Sequence, residues 1–365
     1  MIRILRKMVK RAARRGLIQV IMQELTIRRP DDWHLHLRDG AALAAVLPFT
    51  AQRFARAIIM PNLTPPVTTT AAALAYRDRI RAALPAGADF MPLMTLYLTD
   101  QTTPDEIDRA VDSGSVFGAK YYPAGATTHS QRAVTDIRRL DAVLARMAAR
   151  DLPLLVHGEV TTPSVDIFDR EARFIDEVLA PLVTRVAQLR VIFEHVSTRA
   201  AVAYVCGART GVAATVTPQH LLLNRNALFQ GGLRPHLFCL PVLKTEADRQ
   251  AIVEVVAAGN PRFFLGTDSA PHARRAKEAA CGCAGVFSAH AGIELYAAAF
   301  EQAGMLPRLE DFAASFGADF YRLPRNQTTI TLQKRDWSPP ASYPLGADEL
   351  VPMSAGETLH WRLKS

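Results

Sequence analysis

The stretch Asp31-Asp32-Trp33-His34-Leu35-His36-Leu37-Arg38-Asp39-Gly40 decides how this chain is read. Alternate residues of a strand point to the same side. His34, His36 and Arg38 therefore line one face near a strand end. Two imidazoles on one edge make half of a metal site. A guanidinium beside them can hold an anionic group through two parallel hydrogen bonds. A metal centre next to an anion clamp is one expectation. Two partly exposed histidines on a polar strand edge are the other, and the stretch alone does not separate them.

Working outward, apolar runs recur at regular intervals. After 33–37 they fall at 57–62, 91–98, 116–122, 153–157, 190–195, 212–217 and 262–268. Helical patterns separate most of them, at 41–49, 69–84, from Thr103 onward, and at 136–150, 168–187, 199–206 and 246–258. Thr103-Pro104-Asp105-Glu106 has the form of a helix start, with proline in the first turn and acids where the helix dipole favours them. Alternating strands and helices imply a parallel sheet. Eight such units predict an α/β fold, a (β/α)8 barrel in one domain spanning residues 24–365. Glu24-Leu25-Thr26-Ile27-Arg28-Arg29 reads as a strand ahead of the barrel. Residues 324–365 are Pro-rich and are expected to form an irregular extension packed on it.

Composition narrows the function classes. A hydrophobic fraction of 49% and a charged fraction of 21% are ordinary for a globular enzyme. No run of about 18 apolar residues suggests a membrane span. Cys206, Cys239, Cys281 and Cys283 are too few and too scattered for a disulfide framework, which points to reduced thiols in the cytoplasm. The net charge of +8 is concentrated at one end. Arg3, Arg6, Lys7, Lys10, Arg11, Arg14 and Arg15 precede the first acid, Glu24, and leave the rest nearly neutral. The body of the chain thus gives no electrostatic case for nucleic acid. Residues 1–23 read as a disordered tail or as a start-site artefact with Met22 as the true start. A membrane-surface helix and a transit peptide are the alternatives.

In a (β/α)8 barrel the active site lies at the C-terminal ends of the strands. Here the strand ends carry polar residues that the apolar runs do not explain: Asn62, Lys120, His157, His195 and Asp268, besides the His34-x-His36 pair. Each has a plain explanation singly, such as a helix cap or a solvated side chain. Together they converge on one mouth with metal-ligand chemistry. Lys120 is the informative one, because an ammonium among cation ligands would repel the metals. Either its pKa is strongly lowered, or carbon dioxide has converted it to a carbamate with two oxygens able to bridge two ions. A lysine snorkelling to solvent is the alternative.

At this point the chain resembles the dihydroorotases of the amidohydrolase superfamily, in their shorter bacterial-type class. The resembling stretches are Pro30 to Gly40, Met60-Pro61-Asn62, Ala119-Lys120, Tyr122-Pro123-Ala124 with Ala126-Thr127-Thr128, and Val156-His157-Gly158-Glu159. They continue through Phe193 to Thr198, Thr217 to Leu221, Gly266 to His272 and Cys281 to Gly285. Their order and spacing agree from about residue 24 to the end, although Gly125 and His129 depart from the commonest form of that loop.

The resemblance implies two Zn2+ ions. His34 and His36 would bind one together with Asp268, and His157 and His195 would bind the other. Carboxylated Lys120 and a hydroxide would bridge the two. It implies that Arg38, Asn62 and His272 hold the substrate carboxylate, and that the backbone at Leu240 and Ala284 meets the pyrimidine ring. Thr127 and Thr128 would ride on a closing loop, and Asp268 would be the catalytic acid and base. The implied reaction closes N-carbamoyl-L-aspartate to dihydroorotate plus water, the third step of pyrimidine synthesis. A cytoplasmic homodimer without nucleic-acid or membrane partners is implied as well. A hydantoinase or dihydropyrimidinase is the nearest alternative, disfavoured by the Arg38–Asn62 clamp. A catalytically dead scaffold is another, disfavoured because every ligand position is filled. His129, His220, His236, His290 and His360 are left as structural or surface groups. Cys281 and Cys283 read as loop residues beside the substrate.

Overall fold

The computed structural model describes residues 23–126, 130 and 133–364. The basic residues 1–22 and the loop residues Thr127, Thr128 and His129 fall outside the described residues.

Eight short apolar segments form one parallel sheet in chain order: β2 (Asp31–Leu35), β3 (Arg56–Ile59), β4 (Met91–Tyr97), β5 (Val116–Tyr121), β6 (Leu154–Val156), β7 (Val191–Phe193), β8 (Val212–Val216) and β9 (Phe263–Leu265). The last strand returns to the first. Leu35 bridges Ser269 in parallel, and the Asp268 amide donates to the His34 carbonyl at 2.9 Å. The sheet thus curls into the expected (β/α)8 barrel. Its strands are buried throughout or nearly so, as parallel strands covered by helices must be. Helix starts are set by local chemistry. Thr69, Thr103, Thr198, Thr217 and Thr245 each accept a hydrogen bond from the backbone three residues on. Each such cap is worth about 1 kcal/mol.

The barrel floor is an aromatic plug. Trp33 packs with Ile58, Leu93, Leu155, Ile192 and Phe264 inside the barrel. It also stacks on Tyr321 of the helix Phe316–Tyr321, with ring centroids 4.5 Å apart and planes 12° from parallel. That helix comes so close that a Cβ on Gly317 would lie 2.0 Å from the Trp33 indole nitrogen. Glycine is needed there for space.

Three expectations need correction. Residues 324–365 are not irregular. β10 (Thr329–Trp337) lies between β1 (Glu24–Arg28) and β13 (Leu359–Leu363) in an antiparallel sheet, and β11 (Tyr343–Leu345) pairs with β12 (Asp348–Leu350). The prolines at 339, 340 and 352 sit between these strands, where no ladder hydrogen bond is lost. The helix expected over 168–187 is interrupted. It runs Arg170–Phe174, widens to a π turn at Ile175–Leu179, and resumes at Ala180–Arg185. Pro181 has no amide hydrogen to give to the fourth residue back, so the ladder must adjust just before it. Finally, His34, His36 and Arg38 do not share one strand face. β2 ends at Leu35, and its register against β3 slips by one residue between Asp32 and Leu35. This bulge lets Trp33 point into the plug while His34 faces the mouth.

Candidate metal centre and active site

His34 and Lys120 lie near the ends of β2 and β5, and the other site residues lie just past strand ends. His157 follows β6 directly, and His195 and Asp268 lie two and three residues past β7 and β9. Arg38, His195 and Asp268 take left-handed backbone, with φ of 59°, 45° and 45°. Non-glycine residues hold that conformation at a cost of about 1–3 kcal/mol each, supplied by the surrounding fold. The sharp turns bring side chains from opposite sides of the barrel onto one cavity. Its lining includes His34, His36, Arg38, Asn62, His157, His195 and Asp268.

Two donor groups stand in this mouth. His34 Nε2 and His36 Nε2 lie 3.3 Å apart, and Asp268 Oδ1 is 3.2 Å from the first and 3.0 Å from the second. Across the cavity His157 Nδ1 faces His195 Nε2 at 3.2 Å. Neighbours choose the tautomers. Asn62 Oδ1 lies 2.8 Å from His36 Nδ1, which puts the proton there and turns the Nε2 lone pair inward. Glu159 Oε2 lies 2.9 Å from His157 Nε2 and frees Nδ1 in the same way. Burial pushes the pKa of His34, His157 and His195 below the ordinary value, and that of His36 to about 4. Burial would raise the Asp268 pKa, but His34 and His36 outweigh it and hold the carboxyl well below its usual range. Neutral imidazoles whose lone pairs face one another beside an ionised carboxylate suit divalent cations. The residues present therefore fit metal ions.

Lys120 closes the argument about its own side chain. It is fully buried, so the solvent-snorkelling alternative fails. Burial drives its pKa well below the ordinary lysine value, the state in which an amine reacts with carbon dioxide. Its charge would be felt by His34, His157 and His195, which come from both donor groups. Its Nζ contacts the Glu194 carboxylate and lies 4.8 Å from the centre of the Tyr122 ring. The other Glu194 oxygen is 3.0 Å from His34 Nδ1 but out of line for a hydrogen bond.

Beside the donors stands the anion clamp. Arg38 Nε donates to the Pro271 carbonyl at 3.2 Å, and Nη2 meets His272 Nε2 at 2.9 Å. Burial, then the Arg38 charge, pushes the His272 pKa down to about 2, so its ring is a neutral acceptor. Arg38 Nη1 is buried with no partner among the described residues. A buried guanidinium nitrogen without an acceptor is costly, and an anion arriving in the cavity would satisfy it. His272 thus stands behind Arg38, away from the cavity lining, while Leu240 and Ala284 do line it.

Residues 27–332 match the model of the amidohydrolase family. A dihydroorotase of Laribacter hongkongensis is 63% identical over 343 residues, which cover 94% of this chain and 99% of that one. Among solved structures, a dihydroorotase of Saccharomyces cerevisiae in complex with 5-fluoroorotic acid superposes with a TM-score of 0.87 at 31% identity, covering 94% of this chain and 99% of that one. A dihydroorotase of Campylobacter jejuni gives 0.86 at 33%, covering 94% and 98%. The chain belongs to the amidohydrolase family, among its dihydroorotases.

For a dihydroorotase of this family, the sequence reading passes over four parts of the site. Glu159 and Glu194 stand in the resembling stretches without a role, yet both are buried and each sits within 3.0 Å of a histidine of the centre. Tyr122 stands in a motif without a role, although its hydroxyl is buried, has no partner among the described residues and lies on the cavity wall. Ala270 and Gly285 complete that wall. A signal for the two glutamates existed: each lies within two residues of a strand-end histidine. Of the leftover histidines, His220 is buried and joins Thr217 and the Pro241 carbonyl, His236 pairs with Glu278, and His360 pairs with Asp336 at the surface. Among the described residues no helix is long and apolar enough to cross a membrane.

Proposed function

We propose that this chain is a zinc-dependent dihydroorotase, which interconverts N-carbamoyl-L-aspartate and dihydroorotate in pyrimidine synthesis. The observation that carries the reading is the unpartnered Arg38 nitrogen beside the two donor groups, because the substrate joins a carboxylate to a cyclic amide. A hydantoin or dihydropyrimidine without a carboxylate would leave that charge buried and unpaired.

His34, His36 and Asp268 would hold one zinc, and His157 and His195 the other. Carboxylated Lys120 would be a further ligand, its anion relieving the repulsion that an ammonium would create there. Two bound divalent ions supply a water of lowered pKa and an electrophile for the ring carbonyl. The protein's own groups do the rest. Arg38, Asn62 and His272 fix the α-carboxylate, Arg38 making the direct contact while His272 holds its fork in place. The Leu240 and Ala284 backbones meet the ring edge, so the scissile amide is held close to the centre. Asp268, kept ionised by its histidine neighbours, takes the proton of the attacking water. It returns that proton to the ring nitrogen as the C–N bond breaks. Ring closure runs the same steps backward and releases water. The proposal includes a cytoplasmic homodimer, for which four free thiols are suitable chemistry.

The test is direct. Protein loaded with zinc in the presence of bicarbonate is expected to hydrolyse dihydroorotate and to leave hydantoin untouched. A folded, metal-loaded sample inactive toward dihydroorotate would sink the assignment. Light scattering reads the oligomer.

A further inference from the structure

Two stretches of backbone meet the proposed substrate ring, and they come from distant parts of the chain. Leu240 follows a short turn at Pro235–Leu237 in the long connection after β8. Ala284 lies in the loop after the helix Arg274–Lys277. Neither segment belongs to a strand or to a long helix, so neither is positioned by the barrel itself. What joins them is one side chain. Lys277 Nζ donates to the Phe238 carbonyl at 2.8 Å, the Cys283 carbonyl at 2.8 Å and the Gly285 carbonyl at 2.7 Å. The ammonium is 5.7 Å from the centre of the Phe238 ring. All three protons are spent on main-chain oxygens, and no carboxylate forms an ion pair with Lys277 among the described residues. Lys277 is only 4% exposed.

We infer that Lys277 is the positioning residue that sets the spacing of the Leu240 and Ala284 backbones across the substrate ring, and so governs substrate affinity. The geometry around it points the same way. The Phe238 carbonyl also accepts from the Gly285 amide at 2.9 Å, so both segments share one acceptor with the ammonium. A Cβ on Gly282 would lie 2.6 Å from the Lys277 carbonyl, and one on Gly285 would lie 2.8 Å from Ala270. The loop is pressed onto the helix with no slack. Removing a hub with three donors takes the ammonium's hydrogen bond from the Cys283 and Gly285 carbonyls and leaves Phe238 with the Gly285 amide alone, so the segments are free to part and admit water.

The inference rests on the dihydroorotase reading, because Leu240 and Ala284 matter only if a ring lies between them. Burial lowers the Lys277 pKa to about 8. The groups facing it are the Cys239 thiol from the connection, the Cys283 thiol from the loop and His272 from the segment after β9. Arg274, Arg275 and Glu278 on its own segment pair elsewhere, with Glu349, Asp348 and His236. The charge is therefore present at neutral pH and is lost as pH rises through about 8, when one of the three donors goes with it.

Lys277→Met keeps the length and removes the donors. With dihydroorotate as substrate, KM is expected to rise at least about tenfold with kcat falling less, the split expected when binding is lost and chemistry is kept. Zinc content should equal that of the parent. The parent should show KM rising above about pH 8, and the variant should lack that limb. Amide exchange of Cys283 and Gly285 should speed up in the variant without any substrate. If Lys277→Met does not fold, Lys277→Gln, which keeps two donors, is expected to show the same changes at smaller size. An unchanged KM, an unchanged pH limb and unchanged exchange in a folded variant would overturn the inference. A parent inactive toward dihydroorotate would overturn the functional reading instead, and the exchange measurement would still judge the hub.

Discussion

The two ends of one barrel obey opposite rules. At the floor, Trp33, Phe264 and Tyr321 fill the space with rings, and Gly317 is there because nothing larger fits. At the mouth, four histidines, a lysine and an aspartate are buried together beside the half-buried Arg38, and several of their polar atoms lack partners among the described residues. Burying such groups without compensation costs several kcal/mol. The floor is closed by packing, although Trp33 Nε1 and Tyr321 Oη lack partners among the described residues, and the mouth instead gathers titratable and metal-ligating groups. Neighbours on β2 serve both ends: the bulge sends Trp33 to one and His34 to the other. Breaking the mouth should abolish activity at little cost in stability, and breaking the floor should do the reverse.

Lys120→Met gives the sharpest contrast. It removes a buried amine whose charge bears on histidines of both donor sets and which carboxylation would turn into an anion. Dihydroorotase activity should fall by at least about 10³-fold, in the range seen when a single stabilising contact is deleted from a reaction centre or beyond it. Metal analysis should show fewer ions per chain. Activity near that of the parent would mean that no bridge exists.

Arg38→Met tests the clamp. Truncating one partner of a buried charge pair costs about 2–5 kcal/mol in binding, so kcat/KM should drop by about 30- to 10³-fold, chiefly through KM. Metal content should be untouched, since Arg38 reaches the centre only through the cavity. If the variant gained activity on hydantoin while losing dihydroorotate, the carboxylate would stand as the specificity device. Unaltered kinetics would remove Arg38 from the site.

Glu159→Gln is milder. It retains an acceptor for His157 Nε2 and loses the charge behind it. Changes of this kind cost about 10–100-fold in metal affinity or activity. Competition with a chelator reads the affinity, and excess zinc should restore most of the rate. A defect that zinc does not restore would show that Glu159 acts on the substrate and not through His157.

How much of this was legible in the sequence follows from what each feature depends on. The barrel was legible because apolar runs ending in Asn62, Lys120, His157, His195 and Asp268 repeat with helical patterns between them, and each run carries its own signal. The C-terminal sheet was not. β10 pairs with β1 across roughly 300 residues of chain, and only Leu332 on it is buried, so little alternation marks it as a strand. The same holds inside the site. His34, His36 and Arg38 could be paired by spacing, though the bulge that aims them could not be read. Glu159, Glu194 and Tyr122 owe their roles to distances across the barrel. The Lys277 hub is the extreme case, because its acceptors are main-chain oxygens, which no residue type announces.

Gly317→Ala is the smallest expected effect on activity and the test of the floor. Its new methyl would land 2.0 Å from the Trp33 indole nitrogen, among rings that have nowhere to move. Overpacking of this kind costs about 1–3 kcal/mol. The melting temperature should fall, while kcat and KM for dihydroorotate at moderate temperature stay near those of the parent. Trp33 and His34 are adjacent, however, and the slip in register between Asp32 and Leu35 is what keeps their side chains apart in purpose. If the methyl pushes Trp33 along β2, His34 must follow, and zinc affinity would fall together with the melting temperature. A stable variant with weakened zinc would show that the bulge transmits strain from floor to mouth. A destabilised variant with parental zinc affinity would show that the bulge isolates the two ends, which is the outcome expected from a closed hydrogen-bonded joint between His34 and Asp268.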